Sequence, residues 1–404
     1  MKNSQCLICG GSDLKQLIGL GAFPPANFLS QIPDDNSENL PLALMSCHDC
    51  GHLQQEYFFS SEKLFSNYLY QSGTSKTLDD FFEEIAELTS ESLEHGADIL
   101  ELACNDGTFL EKVQKKGFNV IGVDPAENIV GIAKAKGLDV IHGFWPLELS
   151  RKFDAIYAFN VLAHVTNPII FFESALAHLK DDGYIAVQTS QIFMVENAEF
   201  DTIYHEHYSF FTTASLGFLA RKFDLNLAIF ETTVHGGSAF AIFSKKGSDP
   251  KILSSIRSRL GENFIKSEFK DIGAKHTKDQ LENFVNKCLI FKSRISQVIH
   301  EQIELGRKII FVGAAAKTIT VLFYSNAHAD SIVDEAPLKI GKYIPSKNIK
   351  ILELRSIGDI DSDCFFIVGA WNFFEELKIK IQKLRVSKNK DDKFFAYFPH
   401  ERFE

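Results

Sequence analysis

Short apolar runs with an acid or a small residue near their ends recur along the middle of the chain, separated by stretches of helical character. Residues 97–102 (ADILEL) and 119–124 (NVIGVD) predict two buried parallel strands. Residues 103–110 between them predict a tight turn that enters a helix. Residues 153–159 predict a third strand, and 179–188 a glycine-containing turn followed by a strand. This alternation predicts a Rossmann-like parallel sheet.

The last third of the chain repeats the same pattern after a long polar and apolar stretch. Residues 249–304 carry Lys, Glu and apolar residues at helical spacing and predict a helical connection. Three further apolar runs, at 308–313, 331–334 and 364–369, predict strands, and the first of them enters a turn of small residues. We therefore expect a second Rossmann-like domain at the C-terminal end.

Composition narrows the class of protein. The chain has 404 residues, of which 45% are hydrophobic and 24% charged, as expected for a soluble globular protein of two or three domains. A net charge of −11 argues against nucleic-acid binding through a broad basic surface. No apolar run reaches the roughly 18 residues of a membrane span, and the N-terminal MKNSQCLICG has no apolar segment of a signal peptide. We expect a cytoplasmic protein whose cysteines are thiols or metal ligands.

Two Cys-x-x-Cys pairs near the N-terminus, each followed by glycine, form the pattern of two zinc knuckles. The candidate zinc ligands are Cys6, Cys9, Cys47 and Cys50. Four thiolates make a closed tetrahedral site without an open position, so the zinc would be structural. The alternative is two unrelated buried cysteine pairs. His48 and His52 flank the second pair, and we expect them at the surface.

The turn after the first predicted strand indicates the cofactor. An acid after the second strand, Asp124, can bind both hydroxyls of a ribose, which fits NAD and S-adenosylmethionine (SAM) alike. The turn lacks the GxGxxG fingerprint that cradles a diphosphate, so the pattern favours SAM. Trp145 and the other aromatic candidates have core packing as their alternative. The candidate SAM-binding residues are Tyr70, Glu101, Ala103, Asn105, Gly107, Asp124, Pro125, Phe144 and Asn160.

Five consecutive residues, 204–208, read Tyr-His-Glu-His-Tyr. An extended backbone would place the tyrosines and the glutamate on one face and the histidines on the other. A polar loop and a metal site are alternatives, although no third metal ligand is evident. So many proton-transfer groups directly after a SAM-type fold favour acid–base chemistry.

These motifs together resemble the sugar C-methyltransferases of the deoxysugar-nucleotide family, of the dTDP-4-keto-deoxysugar 3-C-methyltransferase type. The resemblance spans nearly the whole chain and rests on CLICG, CHDCGHLQ, LGAFPPANFL, ELACNDGTFL, NVLAHV, FDTIYHEHYSFF, VHGGS, VGAAAK, IVDEAPLKIGKYIPS and GAWNFFEE. It implies an α/β protein with a small zinc-binding lobe (1–66), a Rossmann-like SAM methyltransferase domain (67–248) and a helical linker plus second Rossmann-like domain (249–404).

The resemblance also implies a reaction. Members methylate a carbon, typically C-3, beside the C-4 ketone of a nucleotide-linked sugar, through an enolate that attacks the SAM methyl group. By position, His207 is the candidate base, and Glu206 and Tyr204 would orient the sugar or polarise the enolate oxygen. His164 is a second candidate, as donor to that oxygen. The zinc is not needed for this chemistry.

The nucleotide sugar is expected between the two α/β domains, in a protein that is a monomer or a homodimer. Turn amides and a lysine at a helix N-terminus can hold a phosphate. Lys339 is a further residue of interest. The candidate substrate-binding residues are His235, Lys317, Lys342, Trp371 and Asn372.

Two other classes of function stay open from the sequence. One is an NAD-linked nucleotide-sugar oxidoreductase that uses the C-terminal domain, although that domain also lacks GxGxxG. The other is a non-catalytic protein that binds zinc or a nucleotide and serves as an interaction module. In that case the cluster at 204–208 and the SAM-type turns would have no role.

Overall fold

The N-terminal lobe is a small antiparallel sheet. The computed structural model of the protein describes residues 2–388, 390–398 and 401–404. In the lobe, β1 pairs with β2 and β2 with β3, and both Cys-x-x-Cys pairs lie at one end of this sheet. Its strands are β1 (Leu14–Phe23), β2 (Leu40–Cys47) and β3 (Leu53–Gln55).

The middle of the chain forms an eight-stranded mixed sheet flanked by helices. Its elements are α1 (Ser61–Phe65), α2 (Lys76–Ser92), β4 (Asp98–Leu102), α3 (Thr108–Lys115), β5 (Asn119–Asp124), α4 (Glu127–Ala135), β6 (Val140–His142), β7 (Phe153–Phe159), α5 (Pro168–Ala177), β8 (Leu179–Thr189), α6 (Met194–Asn197), β9 (Ser209–Phe210), α7 (Thr213–Lys222), β10 (Leu225–Thr232), β11 (Ser238–Lys245), α8 (Lys251–Ser258) and β12 (Ile265–Glu268).

The strand order in this sheet is β12-β10-β11-β8-β7-β4-β5-β6, and the five strands from β8 to β6 are parallel. The chain leaves β4 toward β5 on one side and later returns to β7 on the other. Ligands of open α/β sheets bind at such a switch point, beyond the carboxyl ends of the strands. Strand β9 is an exception: it pairs with β3 and completes the sheet of the N-terminal lobe.

The C-terminal part forms a second, seven-stranded sheet in the order β15-β16-β14-β13-β17-β18-β19, with β13 between β14 and β17 at an equivalent switch point. Its elements are α9 (Lys278–Glu304), β13 (Lys308–Val312), α10 (Ala316–Tyr324), β14 (Ser331–Asp334), β15 (Tyr343–Ile344), β16 (Ile349–Glu353), β17 (Cys364–Val368), α11 (Phe374–Arg385), β18 (Lys393–Ala396) and β19 (Arg402–Phe403). None of the helices in the described ranges has the length and hydropathy of a membrane span.

The strand predictions agree with the structure, and the α/β fold with two Rossmann-like sheets is confirmed. The helical prediction for 249–304 is wrong in its middle, because β12 interrupts it and pairs with β10 at the edge of the eight-stranded sheet. Residues 179–189 are one strand, without the expected turn before it.

Aromatic packing joins the two large sheets. The ring of Phe200 contacts those of Phe291, Tyr324 and Phe398 at centroid distances of 4.8, 4.9 and 5.9 Å. Phe200 is fully buried, and Phe291 lies on α9. Because this contact is apolar and closely packed, the carboxyl ends of both parallel sheets are held over one shared cavity.

Candidate functional site

One cavity of about 800 Å³ lies between the two sheets and receives side chains from both of them. It opens beyond the ends of β4, β5 and β7 on one side and of β13, β14 and β17 on the other. Most of the candidate residues line it, whereas Glu206, Gly107, Lys342 and Trp371 do not. The candidates that line the cavity are Tyr70, Glu101, Ala103, Asn105, Asp124, Pro125, Phe144, Asn160, His164, Tyr204, His207, His235, Lys317 and Asn372.

Asp124 organises the cofactor half of the cavity. Its two carboxylate oxygens accept the backbone N–H groups of Asn105 and Ala126, each at 2.9 Å. The side chain of Asn105 in turn accepts the N–H of Ser72 at 2.9 Å and donates to the carbonyl of Tyr70 at 3.2 Å. The strand-end acid therefore fixes the turn and, through it, the segment that covers the pocket.

Two buried acceptors in this half lack a partner within the protein. Glu101 Oε2 and Asn160 Oδ1 have no hydrogen bond, and both residues line the cavity. Burial, and then the charges of Asp106 and Asp124, raise the pKa of the Glu101 carboxyl well above its usual range. A bound cation with N–H donors would supply hydrogen bonds to these acceptors and would lower the pKa of Glu101. The ammonium and hydroxyl groups of SAM meet this requirement.

Gly107 does not line the cavity, and its surroundings show a role in packing. It precedes α3 with φ +74°, and a Cβ there would lie 2.3 Å from Leu138 Cδ1. Only glycine fits this position without strain. Trp145 lines the cavity, and its indole N–H donates to the carbonyl of Phe171 at 3.1 Å, so one edge of the ring is fixed by the protein.

His207 and Tyr204 form a hydrogen-bonded pair at the centre of the cavity. His207 Nδ1–H donates to the carbonyl of Thr202 at 2.8 Å, so Nε2 is an acceptor in the neutral ring. The hydroxyl of Tyr204 lies 2.7 Å from that Nε2. Burial, and then the neighbouring His164, lower the pKa of the His207 imidazole well below its ordinary value. His207 is therefore neutral at neutral pH and holds a lone pair that can accept a proton.

His164 lies beside this pair, with its ring centroid 4.8 Å from that of His207. Its Nδ1 lies 2.6 Å from the carbonyl of Glu206, which accepts a hydrogen bond. Nδ1 therefore carries the proton, and Nε2 is an acceptor. Burial lowers the pKa of His164 to about 4. The predicted role as donor to an oxyanion conflicts with this geometry, because the neutral ring has no second proton to give.

The segment 204–208 is not extended, so its side chains do not alternate between two faces. The segment is a turn in which the N–H of His207 donates to the carbonyl of Tyr204 at 2.9 Å, and this turn brings those two side chains together. His205 Nε2 bonds to the carbonyl of Phe23 at 2.9 Å, away from the cavity. Glu206 accepts the N–H of Asn27 at 2.8 Å. Glu206 therefore binds the N-terminal lobe and does not line the cavity.

His235 lines the cavity as a neutral imidazole. Its Nε2 lies 3.0 Å from Asn160 Nδ2, whose amide N–H donates, so Nε2 is an acceptor and Nδ1 carries the proton. Burial lowers the pKa of His235 to about 4, which keeps the ring neutral at neutral pH. Asn160 and His235 have φ of +52° and +57°. Side chains held at such strained positions often belong to functional sites.

On the C-terminal side, Lys317 extends into the cavity from the start of α10. Its Nζ lies 4.2 Å from the centre of the Trp371 ring. Trp371 itself is buried and donates its indole N–H to Asp201 at 2.8 Å, so it supports Lys317 and does not line the cavity. Lys342 points elsewhere, whereas Lys339 and the exposed Asn372 line the cavity.

Sequence reasoning missed Asp334, the strand-end acid of the second sheet. Its two oxygens accept the N–H groups of Ala314 and Ala336, each at 2.7 Å, in the same arrangement as those of Asp124. It also lines the cavity. The signal was present, because β14 ends in an acid just as β5 does. Gln55, which contacts the turn at 204–207, carried no such signal.

The four cysteines of the two knuckles lie together at the end of the N-terminal lobe. Their sulfur atoms are all within 4.8 Å of one another, and the N–H groups of Ile8 and Gly11 point at two of them. This spacing suits Zn–S distances of about 2.3 Å around one tetrahedral ion. His52 is fully buried and bonds to Ser209 Oγ at 3.1 Å, so the expectation that it lies at the surface is wrong.

Three family models match successive parts of the chain. They are a zinc binding domain (6–65), a methyltransferase domain (70–228) and a C-methyltransferase C-terminal domain (233–399). With the strand-end cofactor pocket and the four-cysteine site, these matches define a zinc-binding, SAM-dependent methyltransferase. Together the three models span residues 6–399, each describing one part of the chain.

Individual relatives match different shares of the chain. The C-methyltransferase NovU of Streptomyces niveus is 25% identical over 389 residues, which cover 92% of this chain and 91% of the relative. The ubiquinone biosynthesis O-methyltransferase of Rhizobium etli is 29% identical over 102 residues, which cover 23% of this chain and 41% of the relative. A SAM-dependent methyltransferase of Thermotoga maritima with a solved structure shares 22% identity, covers 42% of this chain and 92% of its own, and has a TM-score of 0.34.

Proposed function

We propose that the protein methylates a carbon of a nucleotide-linked 4-keto-deoxysugar, with dTDP as the nucleotide and C-3 as the carbon. The observation that carries this proposal is the neutral His207–Tyr204 pair, which faces the cavity that also holds the two unpaired acceptors for SAM. A neutral imidazole in hydrogen-bond contact with a cavity-lining hydroxyl is suited to proton abstraction beside a ketone. The full-length similarity to a C-methyltransferase supports transfer to carbon.

The hydrogen bonds define a path for the proton. A single lone pair on His207 Nε2 already faces the hydroxyl of Tyr204. The proton from the sugar carbon therefore passes to the Tyr204 oxygen while the hydroxyl proton of Tyr204 moves to Nε2. SAM, when bound, supplies the electrophilic methyl group that the resulting carbanion requires. Because His207 is buried, access of water to the proton-accepting atom is limited.

The enolate oxygen needs a donor where its charge develops. His235 meets this need better than His164, because Nδ1–H of His235 is free while His164 presents an acceptor. The ammonium of Lys317 and the backbone amides at the start of α10 are placed for the diphosphate of the nucleotide. The sugar would then lie between the two sheets, with its ketone toward His235.

The decisive experiment gives the protein methyl-labelled SAM and a panel of 4-keto and reduced sugar nucleotides, with products analysed by mass spectrometry. We expect label in the sugar only for substrates with the ketone, and binding of SAM without binding of NAD. NAD binding in place of SAM, or label on oxygen, would contradict the proposal.

His207→Ala tests the base. The variant should bind SAM as the wild type does and lose methyl transfer by roughly 10²- to 10⁴-fold, the usual contribution of general base catalysis. His164→Ala, which removes the neighbouring imidazole of the same cavity, is the variant with which the SAM binding and methyl transfer of His207→Ala are compared. Solvent deuterium exchange at the sugar carbon without SAM should also stop in His207→Ala. Near-normal exchange in that variant would place the base elsewhere.

A further inference from the structure

The N-terminal lobe, which carries the candidate zinc ligands, makes a direct contact with the turn that carries the proposed base. Gln55, at the end of β3, is fully buried. Its side-chain amide donates to the carbonyls of both Tyr204 and His207. The two residues that form the proton-accepting pair are therefore held at their backbones by one side chain of another domain.

We infer that Gln55 is a positioning residue for the His207–Tyr204 pair, and that the zinc lobe acts on catalysis through it. This inference rests on the proposed function, because it assigns His207 and Tyr204 the proton-accepting role described above. Gln55 does not line the cavity, so it acts through the turn and not on the substrate.

The contacts of the turn show why an outside support is needed. The carbonyl of Tyr204 accepts only the N–H of His207 from within the turn, at 2.9 Å. Two further carbonyls are bound by side chains from elsewhere: that of Glu206 by Nδ1 of His164, and that of His207 by Gln55. Inside this segment the bonds of the His207 ring to Tyr204 and Thr202 fix the side chains, whereas the backbone carbonyls depend on partners outside the turn.

Gln55 is itself fixed from two sides. Its N–H donates to the carbonyl of Tyr208 at 3.0 Å, and its strand pairs with β9, which follows the turn directly. Its Oε1 is buried without a partner, so both directional bonds of the side chain go to the turn. Hydrogen bonding therefore orients the amide toward Tyr204 and His207 only.

The zinc site lies immediately before this strand. Cys50 precedes Leu53, the first residue of β3, by three positions, and the N–H of Cys47 bonds to the carbonyl of His52 at 2.8 Å. The knuckle thereby sets where β3 begins. The second Cys-x-x-Cys pair therefore lies just before one end of the short strand β3, and Gln55, which contacts the turn, lies at its other end.

The neighbouring Gln54 provides a matched control. It is also a fully buried glutamine on β3, but its side chain points to the opposite face. There it accepts the N–H of Leu7 at 2.8 Å and donates to the carbonyl of Gln5 at 3.0 Å. Replacing it disturbs the lobe and the first knuckle without touching the turn.

The test compares Gln55→Met, which keeps length and burial but removes both donors, with Gln54→Met. We expect Gln55→Met to keep its zinc and its affinity for SAM while kcat falls by roughly 100-fold, the effect of about 1 Å of misplacement. KM for the sugar nucleotide should change within about twofold, because no substrate contact is lost. Gln54→Met, assayed with its zinc bound, should keep the wild-type kcat.

A readout independent of turnover separates this inference from the proposed function. In protein labelled with ¹⁵N-histidine, the ring of His207 should show one fixed tautomer in the wild type and in Gln54→Met. Gln55→Met, and the shorter Gln55→Asn, should lose that signature. If wild-type protein methylates no sugar nucleotide, the proposed function fails, and the spectra still decide the role of Gln55. The positioning role of Gln55 would be overturned by an unchanged His207 signal in both Gln55 variants. It would also be overturned if zinc-loaded Gln54→Met lost that signal equally.

Discussion

His205, Glu206 and His207 are consecutive in the chain, yet each is bound to a different part of the molecule. His205 reaches the carbonyl of Phe23, Glu206 the N–H of Asn27, and only His207 faces the cavity. Residue type therefore predicts acid–base chemistry for this segment but does not indicate which of its members would perform it. The hydrogen-bond partners decide the roles of the individual side chains.

Lys317 and Lys342 were both candidates for substrate binding, and the structure separates them. Lys317→Met should raise KM for the nucleotide sugar by roughly tenfold or more, since a hydrogen bond to a charged group contributes about 1.5–3 kcal/mol. Lys342→Met should leave KM unchanged because Lys342 does not line the cavity. Steady-state kinetics and SAM titration on both variants check this. Equal effects of the two substitutions would contradict the assignment.

His205 predicts a pH dependence of stability. Burial lowers its pKa to about 4, while the unfolded chain titrates near 6.5. Between these values the unfolded state binds the extra proton, so the contribution of His205 is full above pH 6.5 and is lost as the pH falls. His205→Gln keeps a donor for Phe23 but does not titrate. We expect the stability of the wild type relative to this variant to fall by about 3 kcal/mol from pH 7 to pH 4.

Urea unfolding of the two proteins at a series of pH values measures this difference directly. Because the comparison is made between matched chains, the contributions of the buried carboxyl groups cancel. A constant difference across the range would show that His205 titrates normally in the folded protein.

At the scale of elements, the parallel strands were predictable and the turn at 204–208 was not. Strands β4, β5, β7 and β13 are buried on both faces, so each is a continuous apolar run that the sequence shows directly. The turn has no such local signature. Its shape depends on partners 150 or more residues away, among them Gln55 and Phe23.

The same limit applies to the candidate cofactor residues. Asp124 and Asn105 follow from the rule that ligands bind at strand ends, and both line the cavity. Gly107 has the right position in the motif, but its role is to let α3 begin beside Leu138. A motif identifies the turn and leaves open which of its residues contact the ligand.

Gly107 and Gly137 offer a prediction about packing within the methyltransferase sheet. Both have positive φ, +74° and +81°, but a Cβ on Gly137 would meet no atom within 4 Å. Gly137→Ala should cost about 1 kcal/mol for the left-handed backbone alone. Gly107→Ala should cost about 3 kcal/mol, because overlap with Leu138 is added to it.

Denaturant unfolding of both variants gives these values. SAM affinity in folded Gly107→Ala should stay near that of the wild type, since the glycine does not line the cavity. A large loss of SAM affinity with unchanged stability would return Gly107 to the cofactor site.

At the scale of the molecule, three sheets meet at one cavity, and each contributes a separate function. The eight-stranded sheet holds the SAM acceptors, the seven-stranded sheet presents Lys317, and the N-terminal lobe supports the turn. The two Rossmann-like sheets could be anticipated from the order of motifs along the chain. The exchange of β9 into the N-terminal lobe could not, because a two-residue strand has no detectable pattern.

Because the three sheets contribute different parts of the cavity, the effect of removing zinc can be predicted. Cys47→Ser should abolish zinc binding and methyl transfer but leave SAM affinity within about threefold, because the eight-stranded sheet holds Asp124 without the lobe. Cys364→Ser is the control: that thiol is buried in the C-terminal sheet and contacts the carbonyl of Ser362, which a hydroxyl can also do. Metal analysis, SAM calorimetry and activity are measured on both. Loss of SAM binding together with zinc in Cys47→Ser would contradict the expectation that the eight-stranded sheet binds SAM independently of the N-terminal lobe.

Strand β9 also sets the order in which the protein can mature. His52 and Ser209 make contact although 157 residues separate them, and β3 has no neighbour on that side until Phe210 has been synthesised. Contacts of such long range form late in folding. During translation the N-terminal lobe therefore stays partly assembled until strand β9 has been synthesised. The cofactor half of the cavity can form before the turn that carries His207, the proposed base, is in place, so the ability to bind the cofactor would precede the ability to use it.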